Sequence, residues 1–92
     1  MNEVFQALSD PTRREILRLL KAGDLTAGEI SDQFVLARST LSGHFNVLKH
    51  AGLIVCERNG TSLVYSLHIS AVEELMAGVM TLFGSNVQGN ET

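Results

Sequence analysis

Apolar residues recur every three or four positions through the first fifty residues, a spacing that places them on one face of an α-helix. Val4, Phe5 and Leu8 predict a short first helix. Asp10 is a favourable N-cap and Pro11 suits the first helical position, so a second helix is predicted to begin there. The chain therefore opens with two helices joined by a tight connection.

A third helix is predicted from a capping box, in which a threonine and a glutamate three residues later satisfy each other's backbone N–H groups. Thr26 and Glu29 have this spacing, and Ile30 and Phe34 are expected to face inward. Residues 35–37 then leave room for a turn and nothing longer.

The fourth predicted helix carries Leu41, Phe45 and Leu48 at positions i, i+4 and i+7, which form a narrow apolar stripe. Gly52 is expected to end this helix. On a helical wheel with about 100° per residue, small or polar residues lie broadly opposite the stripe. These residues are Ser39, Ser42, Gly43, Asn46, Lys49 and His50. The segment thus predicts one buried face and one polar face.

After residue 52 the period changes from helical to alternating, which predicts β-strands over residues 53–58 and 61–67. Asn59 and Gly60 lie between them, and this pair favours a hairpin in which both turn residues have positive φ. Ser70 and Glu73 form a second capping-box pattern, from which a fifth helix is expected. Residues 84–92 show no core pattern and are predicted to be frayed.

The composition fits one small domain over residues 1–92. The chain is 45% hydrophobic and 18% charged, which suits a modest core. No apolar run approaches the roughly 18 residues that span a bilayer, and a secretory signal pattern is absent, so a cytoplasmic location is expected. Cys56 is the only cysteine, which excludes an internal disulfide and a thiolate zinc cluster.

Charge is unevenly distributed along a chain whose formal net charge is -3. Residues 1–36 carry -2 and residues 70–92 carry -3, whereas residues 37–58, which include the fourth helix, carry +2. An acidic total argues against nucleic-acid binding, but a local basic patch is sufficient for it. Serine, asparagine and arginine side chains bind bases and phosphates, so the polar face of the fourth helix is the candidate DNA contact.

The predicted fold is mainly α with a β-hairpin wing, in the order of four helices, two strands and a fifth helix. Two helices joined by a short turn, followed by a hairpin, are typical of a winged helix-turn-helix, whose second helix fits the major groove. The first and last helices carry more apolar surface than one small core covers, so a homodimer through them is expected. The residues expected at that interface are Val4, Phe5, Leu8, Val72, Leu75, Met76, Val79, Met80 and Phe83.

Two long stretches, ALSDPTRREILRLLKAGDLTAGEI and STLSGHFNVLKHAGLIVCERNGTSLVYSL, resemble the ArsR/SmtB-type winged helix-turn-helix repressors. Within that family they are most similar to the SdpR-type subgroup. The resemblance implies a homodimeric, autoregulatory repressor that binds a palindromic operator. It further implies that the DNA-contacting positions of the fourth helix and the wing are Arg38, Ser39, Thr40, Ser42, His44, Arg58, Asn59 and Gly60.

Two positions depart from the family pattern. Ala37 stands where a capping serine is common, which costs about 1 kcal/mol unless Ser39 takes over the cap. Gly43 stands where a longer polar side chain is common, which costs a further ~1 kcal/mol of helix stability. Either the operator tolerates fewer contacts, or the backbone at Gly43 comes unusually close to the DNA.

Several residues have a structural interpretation beside the functional one. His44 lies near the buried stripe, so a structural hydrogen bond is as consistent with its position as a DNA contact. Arg13 and Arg14 suit phosphate contacts, but Arg13 is also spaced for an ion pair with Asp10. Tyr65 is expected in the core.

The chemistry of other function classes is missing from the sequence. The cysteine pairs and histidine–carboxylate sets of the family's metal sensors do not occur, so no metal, cofactor or small-molecule ligand is expected. No phosphate loop or nucleophile elbow is present, so an enzyme is not expected. Two alternatives stay open, a redox sensor through Cys56 and an interaction module sequestered by a membrane-bound protein.

Overall fold

The computed structural model describes residues 2–84 as a mainly helical chain with a β-hairpin wing, as the sequence predicts. The elements are α1 (Asn2–Leu8), α2 (Pro11–Lys21), β1 (Leu25–Thr26), α3 (Ala27–Ser31), α4 (Arg38–His50), β2 (Ile54–Asn59), β3 (Ser62–Leu67) and α5 (Ile69–Leu82). Residues 85–92 of the predicted frayed end lie outside the described range.

One apolar core joins the first four helices to the sheet. Its buried members among the described residues are Ala7, Ile16, Leu20, Ile30, Leu41, Phe45, Leu48, Leu53, Ile54 and Tyr65. The predicted stripe of α4 supplies three of these side chains, whereas α5 supplies none. The core therefore supports α4 from beneath and leaves its other face to solvent.

Two helix starts follow the predicted capping chemistry. The carboxylate of Asp10 accepts hydrogen bonds from the backbone N–H groups of Thr12 and Arg13, at 2.8 and 3.2 Å, and thereby caps α2. At α3, the Thr26 hydroxyl accepts from the Glu29 N–H at 3.0 Å while the Glu29 carboxylate accepts from the Thr26 N–H at 2.8 Å. Both caps are confirmed.

Helix α3 is shorter than predicted. It ends at Ser31, and the backbone N–H groups of Gln33 and Phe34 bond the carbonyls three residues earlier, which tightens the chain into turns. Phe34 consequently lies beyond the helix, half-buried against the core. The prediction that Phe34 faces inward is confirmed, but the prediction that it belongs to α3 is wrong.

The sheet has three antiparallel strands in the order β1-β3-β2, one more than the sequence predicts. A strand of two residues is too short to show alternation, so no pattern could reveal β1. The predicted turn geometry is also wrong. Asn59 pairs with Ser62, so the loop is Gly60 and Thr61, and only the glycine has positive φ, at 67°. Glycine at the first loop position is typical of a type II′ turn. Such a turn matches the twist of the two strands and needs positive φ at that one position only.

Helix α5 begins at Ile69, before the predicted capping box at Ser70 and Glu73. His68 occupies the N-cap without a side-chain cap bond, so the prediction of that box is wrong. Its N–H donates to the Leu53 carbonyl at 2.9 Å, and its Nδ1 lies 3.1 Å from the Gly52 carbonyl oxygen. These tertiary hydrogen bonds fix the point at which the chain leaves β3. They join residues that are far apart in the sequence, so no helical pattern predicts them.

Candidate nucleic-acid interface

Helix α4 has the two faces that its sequence predicts. Leu41, Phe45 and Leu48 are 2%, 5% and 0% exposed, and the Phe45 ring stacks on Tyr65 of β3 with centroids 4.3 Å apart. The exposed residues of the helix are Arg38, Ser39, Thr40, Ser42, Gly43, Asn46, Lys49 and His50. The apolar stripe thus anchors a solvent-facing surface of small polar and basic groups.

The N-terminus of α4 lacks a side-chain cap. Ala37 occupies the N-cap with extended backbone, φ -64° and ψ 147°, and among residues 2–84 no side chain, that of Ser39 included, forms a cap hydrogen bond there. The first N–H groups of the helix are therefore left to solvent or to an anion, and the positive end of the helix dipole lies beside Arg38. This arrangement favours a phosphate at the start of the helix.

Packing within the protomer does not require glycine at position 43. A Cβ at Gly43 would meet no heavy atom within 4 Å, because the residue faces open solvent. A glycine in the middle of a helix lowers its stability by about 1 kcal/mol relative to alanine. The fold alone therefore gives no physical reason for this residue.

His44 sits beside the apolar stripe with its side chain 17% exposed. Its Nδ1 lies 3.1 Å from Nη1 of Arg13 and 3.9 Å from Oδ2 of Asp10. The structural hydrogen bond that the sequence left open is thus present. It joins α4 to α2 over a sequence separation of 31 residues, which no local pattern could reveal.

Arg13 and Arg14 bind the end of α1. Arg13 donates to the carbonyls of Gln6 and Ala7, both at 2.9 Å, and Arg14 donates to the carbonyl of Leu8 at 2.8 Å. Cationic side chains are favourable there because the last carbonyls of a helix have no intrahelical partner. Both guanidinium groups therefore stabilise the α1–α2 corner.

Among the described residues Arg13 and Asp10 form no side-chain ion pair, the structural alternative that their spacing offered. The Asp10 carboxylate accepts from the Arg13 backbone N–H instead. Desolvation raises the pKa of Asp10. The hydrogen bonds from the Arg13 and Thr12 N–H groups, together with the charge of Arg13, outweigh it and leave this pKa below its ordinary value. The ionised carboxylate is the form that caps α2.

The wing presents its tip to solvent. Arg58, Asn59 and Gly60 are all exposed at the end of β2 and the start of the turn. Behind them, half-buried Cys56 lies opposite buried Tyr65, as the cross-strand pairing requires. Burial, with a smaller contribution from Cys56, raises the pKa of Tyr65 to about 12, so a neutral phenol lies beneath α4. The core position predicted for Tyr65 is confirmed.

A second surface, the apolar side of α1 and α5, is largely uncovered in the protomer. Phe5, Met76, Met80 and Phe83 are 48%, 62%, 49% and 75% exposed, and no residue of α5 is buried. The half-buried residues predicted with them are Val4, Leu8, Val72, Leu75 and Val79. The nine residues expected at the dimer interface are together called the apolar face of α1 and α5. Four of them, Val4, Leu8, Val72 and Leu75, also pack partly against the core.

The described residues contain neither a candidate metal site nor a helix that could span a membrane. Between residues 2 and 84, no three histidine, cysteine or acidic side chains are grouped so that they could hold a metal ion. Over the same range, every helix is too short or too polar to cross a lipid bilayer.

Comparison with known proteins now decides the family. Residues 10–55, from the N-cap of α2 into β2, match the family model described as bacterial regulatory protein, arsR family. The chain belongs to this family. The ArsR-type resemblance and the winged helix-turn-helix fold predicted from the sequence are thereby confirmed, and the members of the family are transcriptional regulators rather than enzymes.

Individual relatives agree with this assignment. The chain is 47% identical over 74 residues to the transcriptional repressor SdpR of Bacillus subtilis (strain 168), covering 80% of this chain and 82% of that protein. It is 35% identical over 68 residues to an arsenical resistance operon repressor of Staphylococcus xylosus, covering 74% of this chain and 65% of that protein. Among solved structures, an ArsR-like transcriptional regulator from Rhodococcus sp. RHA1 superposes with a TM-score of 0.78 at 28% identity. The superposition covers 95% of this chain and 81% of that one.

Proposed function

We propose that this ArsR-family chain is a homodimeric repressor that binds a palindromic operator through the polar face of α4. The observation that carries the proposal is the exposed polar and basic surface of α4 above a fully buried stripe. An α-helix held rigidly from beneath, with short side chains outward, fits the width of the major groove and reaches base edges.

The proposed contacts divide into base reading and phosphate binding. Arg38 reaches guanine or a phosphate near the uncapped helix start, and the serine, threonine and asparagine side chains bond base edges or phosphates. Gly43 admits the closest approach of the helix backbone to the DNA. The proposed DNA-contacting residues are Arg38, Ser39, Thr40, Ser42, Gly43, His44, Asn46, Lys49, Arg58, Asn59 and Gly60.

Charge placement supports this role in a chain with a net charge of -3. The segment from residue 37 to residue 58 carries +2, and its Arg38, Lys49 and Arg58 are all exposed. Each phosphate that a cation neutralises should contribute about -0.9 to the slope of log K against log salt concentration. We therefore expect operator affinity to fall steeply with added salt despite the acidic total.

The uncovered apolar face of α1 and α5 supports the homodimer. A large apolar face left in water is unfavourable, and a two-fold axis covers it with the same face of a second copy. The two α4 helices of such a dimer enter successive major grooves about 34 to 36 Å apart. An operator with two-fold symmetry matches that arrangement.

An electrophoretic mobility shift with the chain's own promoter region tests the proposal, since autoregulation makes that region the first operator to examine. Binding should be much tighter than to a scrambled duplex of equal length. Arg38→Ala and Ser42→Ala should weaken specific binding while sedimentation still reports a dimer. Equal affinity for the promoter and the scrambled duplex would contradict the proposal.

Two alternatives stay predictions that no contact within residues 2–84 supports. Sequestration by a membrane-bound protein is favoured only by the acidic net charge of -3 and by Gly43, and the contacts over that range add nothing to these two features. A redox role for Cys56 needs an accessible thiol, and this side chain is half-buried opposite Tyr65.

A further inference from the structure

Arg13 joins three helices through one guanidinium group. Its Nε and Nη2 donate to the carbonyls of Ala7 and Gln6 at the end of α1, both at 2.9 Å. Its Nη1 lies 3.1 Å from Nδ1 of His44 on α4. Because two of its nitrogens are held by α1, the third is directed at His44 with little freedom to move.

This geometry determines where the proton of the imidazole lies. An arginine guanidinium has donors and no acceptor, so Nδ1 of His44 must be the acceptor of the 3.1 Å bond and cannot carry a proton. The other charged group beside it, Asp10, is too distant at 3.9 Å to bond Nδ1 and already accepts two backbone N–H groups. A neutral imidazole with its proton on Nε2 is the form that satisfies these contacts.

The second nitrogen of the same ring reaches solvent. Within residues 2–84, Nε2 of His44 has no hydrogen-bond partner, since both polar contacts of the ring are made by Nδ1. Over that range no buried side-chain nitrogen or oxygen is left without a partner. Nε2 therefore lies at the surface of α4 and offers an N–H group.

We propose that Arg13 is a positioning residue that holds His44 as the neutral Nε2–H tautomer, so that α4 presents an uncharged donor to a DNA backbone phosphate. The inference rests on the proposed DNA-binding function and extends it to a named atom. Under this proposal both interpretations of His44 hold, because Nδ1 makes the structural bond to Arg13 and Nε2 makes the DNA contact. The proposal also gives Arg13 a role that involves no contact with DNA.

An uncharged donor leaves a distinctive signature in binding. A lysine or arginine at a phosphate releases counterions, whereas a neutral N–H group does not. Loss of the His44 contact should therefore lower affinity by the same factor at every salt concentration. The loss should also be equal on operator and unrelated duplexes, because phosphate contacts carry no sequence information.

The variant His44→Asn separates the two nitrogens. The asparagine oxygen occupies about the place of Nδ1 and still accepts from Arg13, while nothing replaces the Nε2–H group. We expect about tenfold weaker DNA binding with an unchanged salt slope, unfolding midpoint and dimer. Lys49→Gln is the matched control on the same face, and its salt slope should become shallower by about 0.9.

The tautomer itself is measured on free protein by nitrogen-15 NMR of the imidazole. The wild type should show a protonated Nε2 and an unprotonated Nδ1. Arg13→Lys keeps the positive charge but removes the guanidinium group, whose three nitrogens bond Gln6, Ala7 and His44. Without that fixed donor at Nδ1, His44 should show a mixture of tautomers. This readout would not move if Arg13 served only to support the fold.

The outcomes distinguish this inference from the function on which it rests. If the wild type binds its operator and His44→Asn binds equally well, His44 makes no phosphate contact and the inference is wrong. It is also wrong if His44→Asn reduces the salt slope like Lys49→Gln, or if the wild-type proton lies on Nδ1. A wild type without preference for any operator would instead overturn the proposed function.

Discussion

Helices α4 and α5 have similar apolar periodicity but different surroundings. The stripe of α4 is buried within the protomer, with Leu48 fully inaccessible, whereas no residue of α5 is buried and Met76 remains 62% exposed. Only the first turns of α5, through Val72 and Leu75, pack partly against the core. An amphipathic pattern therefore shows that a face needs covering, but it does not show whether the same chain or another one covers it.

The two surfaces should respond to mutation through different equilibria. Removing a side chain beneath α4 acts on the folding of each protomer. A change on the apolar face of α1 and α5 is expected to act first on association of the proposed homodimer, and on unfolding only through its linkage to that association. Unfolding experiments should therefore be compared at one fixed protomer concentration.

The largest effect is expected from Phe45→Ala. The variant loses a buried ring and its stacking on Tyr65, so the free energy of unfolding should fall by about 3 to 5 kcal/mol. Urea denaturation measures it. Asn46→Ala, at the exposed neighbouring position, is the control and should change stability by less than ~0.5 kcal/mol. A small loss for Phe45→Ala would mean that the stripe does not anchor α4.

Met80→Glu should separate the proposed dimer while leaving the protomer folded. A charge on an apolar interface that has to exclude water should raise the dimer dissociation constant by at least about 30-fold, measured by sedimentation equilibrium. Thr81→Glu adds the same charge on the opposite side of α5 and should have little effect. Equal dissociation of the two variants would show that the interface is not the predicted face.

Gly43→Ala should move stability and DNA binding in opposite directions. An alanine there meets no neighbour, so the free energy of unfolding should rise by about 1 kcal/mol. Operator binding should weaken, because the added methyl group occupies the space of the closest approach. Unchanged operator affinity would show that Gly43 does not serve a close approach of the helix backbone to DNA. The remaining explanation would be that the operator tolerates one contact fewer at this position.

The smallest effect concerns Asp10, the N-cap of α2. Its pKa lies below its ordinary value of 3.8, so its ionised form stabilises the folded state above that value, and this contribution disappears as the pH falls through the folded pKa. Asp10→Asn keeps the capping oxygen without the charge. The wild type should be more stable near neutral pH, and the difference should vanish in strong acid. A difference independent of pH would contradict the linkage.

Local chemistry accounts for the parts that the sequence predicted correctly. The caps at Asp10 and Thr26, and the stripe under α4, depend on residues within a few positions of one another, so their spacing is visible in the chain. The predictions that failed involve contacts between distant segments. Helix α5 starts at Ile69 because His68 is bonded to the segment before β2, and β1 exists only because β3 lies beside it.

The sequence by itself determined a mainly helical domain, the polar face of α4, a hairpin wing and the apolar periodicity of α5. Only the tertiary structure decided what Arg13 and His44 do. Their bond spans 31 residues, and it exists because the end of α1 holds the guanidinium where α4 crosses it. Hydrogen-bond direction depends on positions in space, whereas the chain records only order and side-chain type.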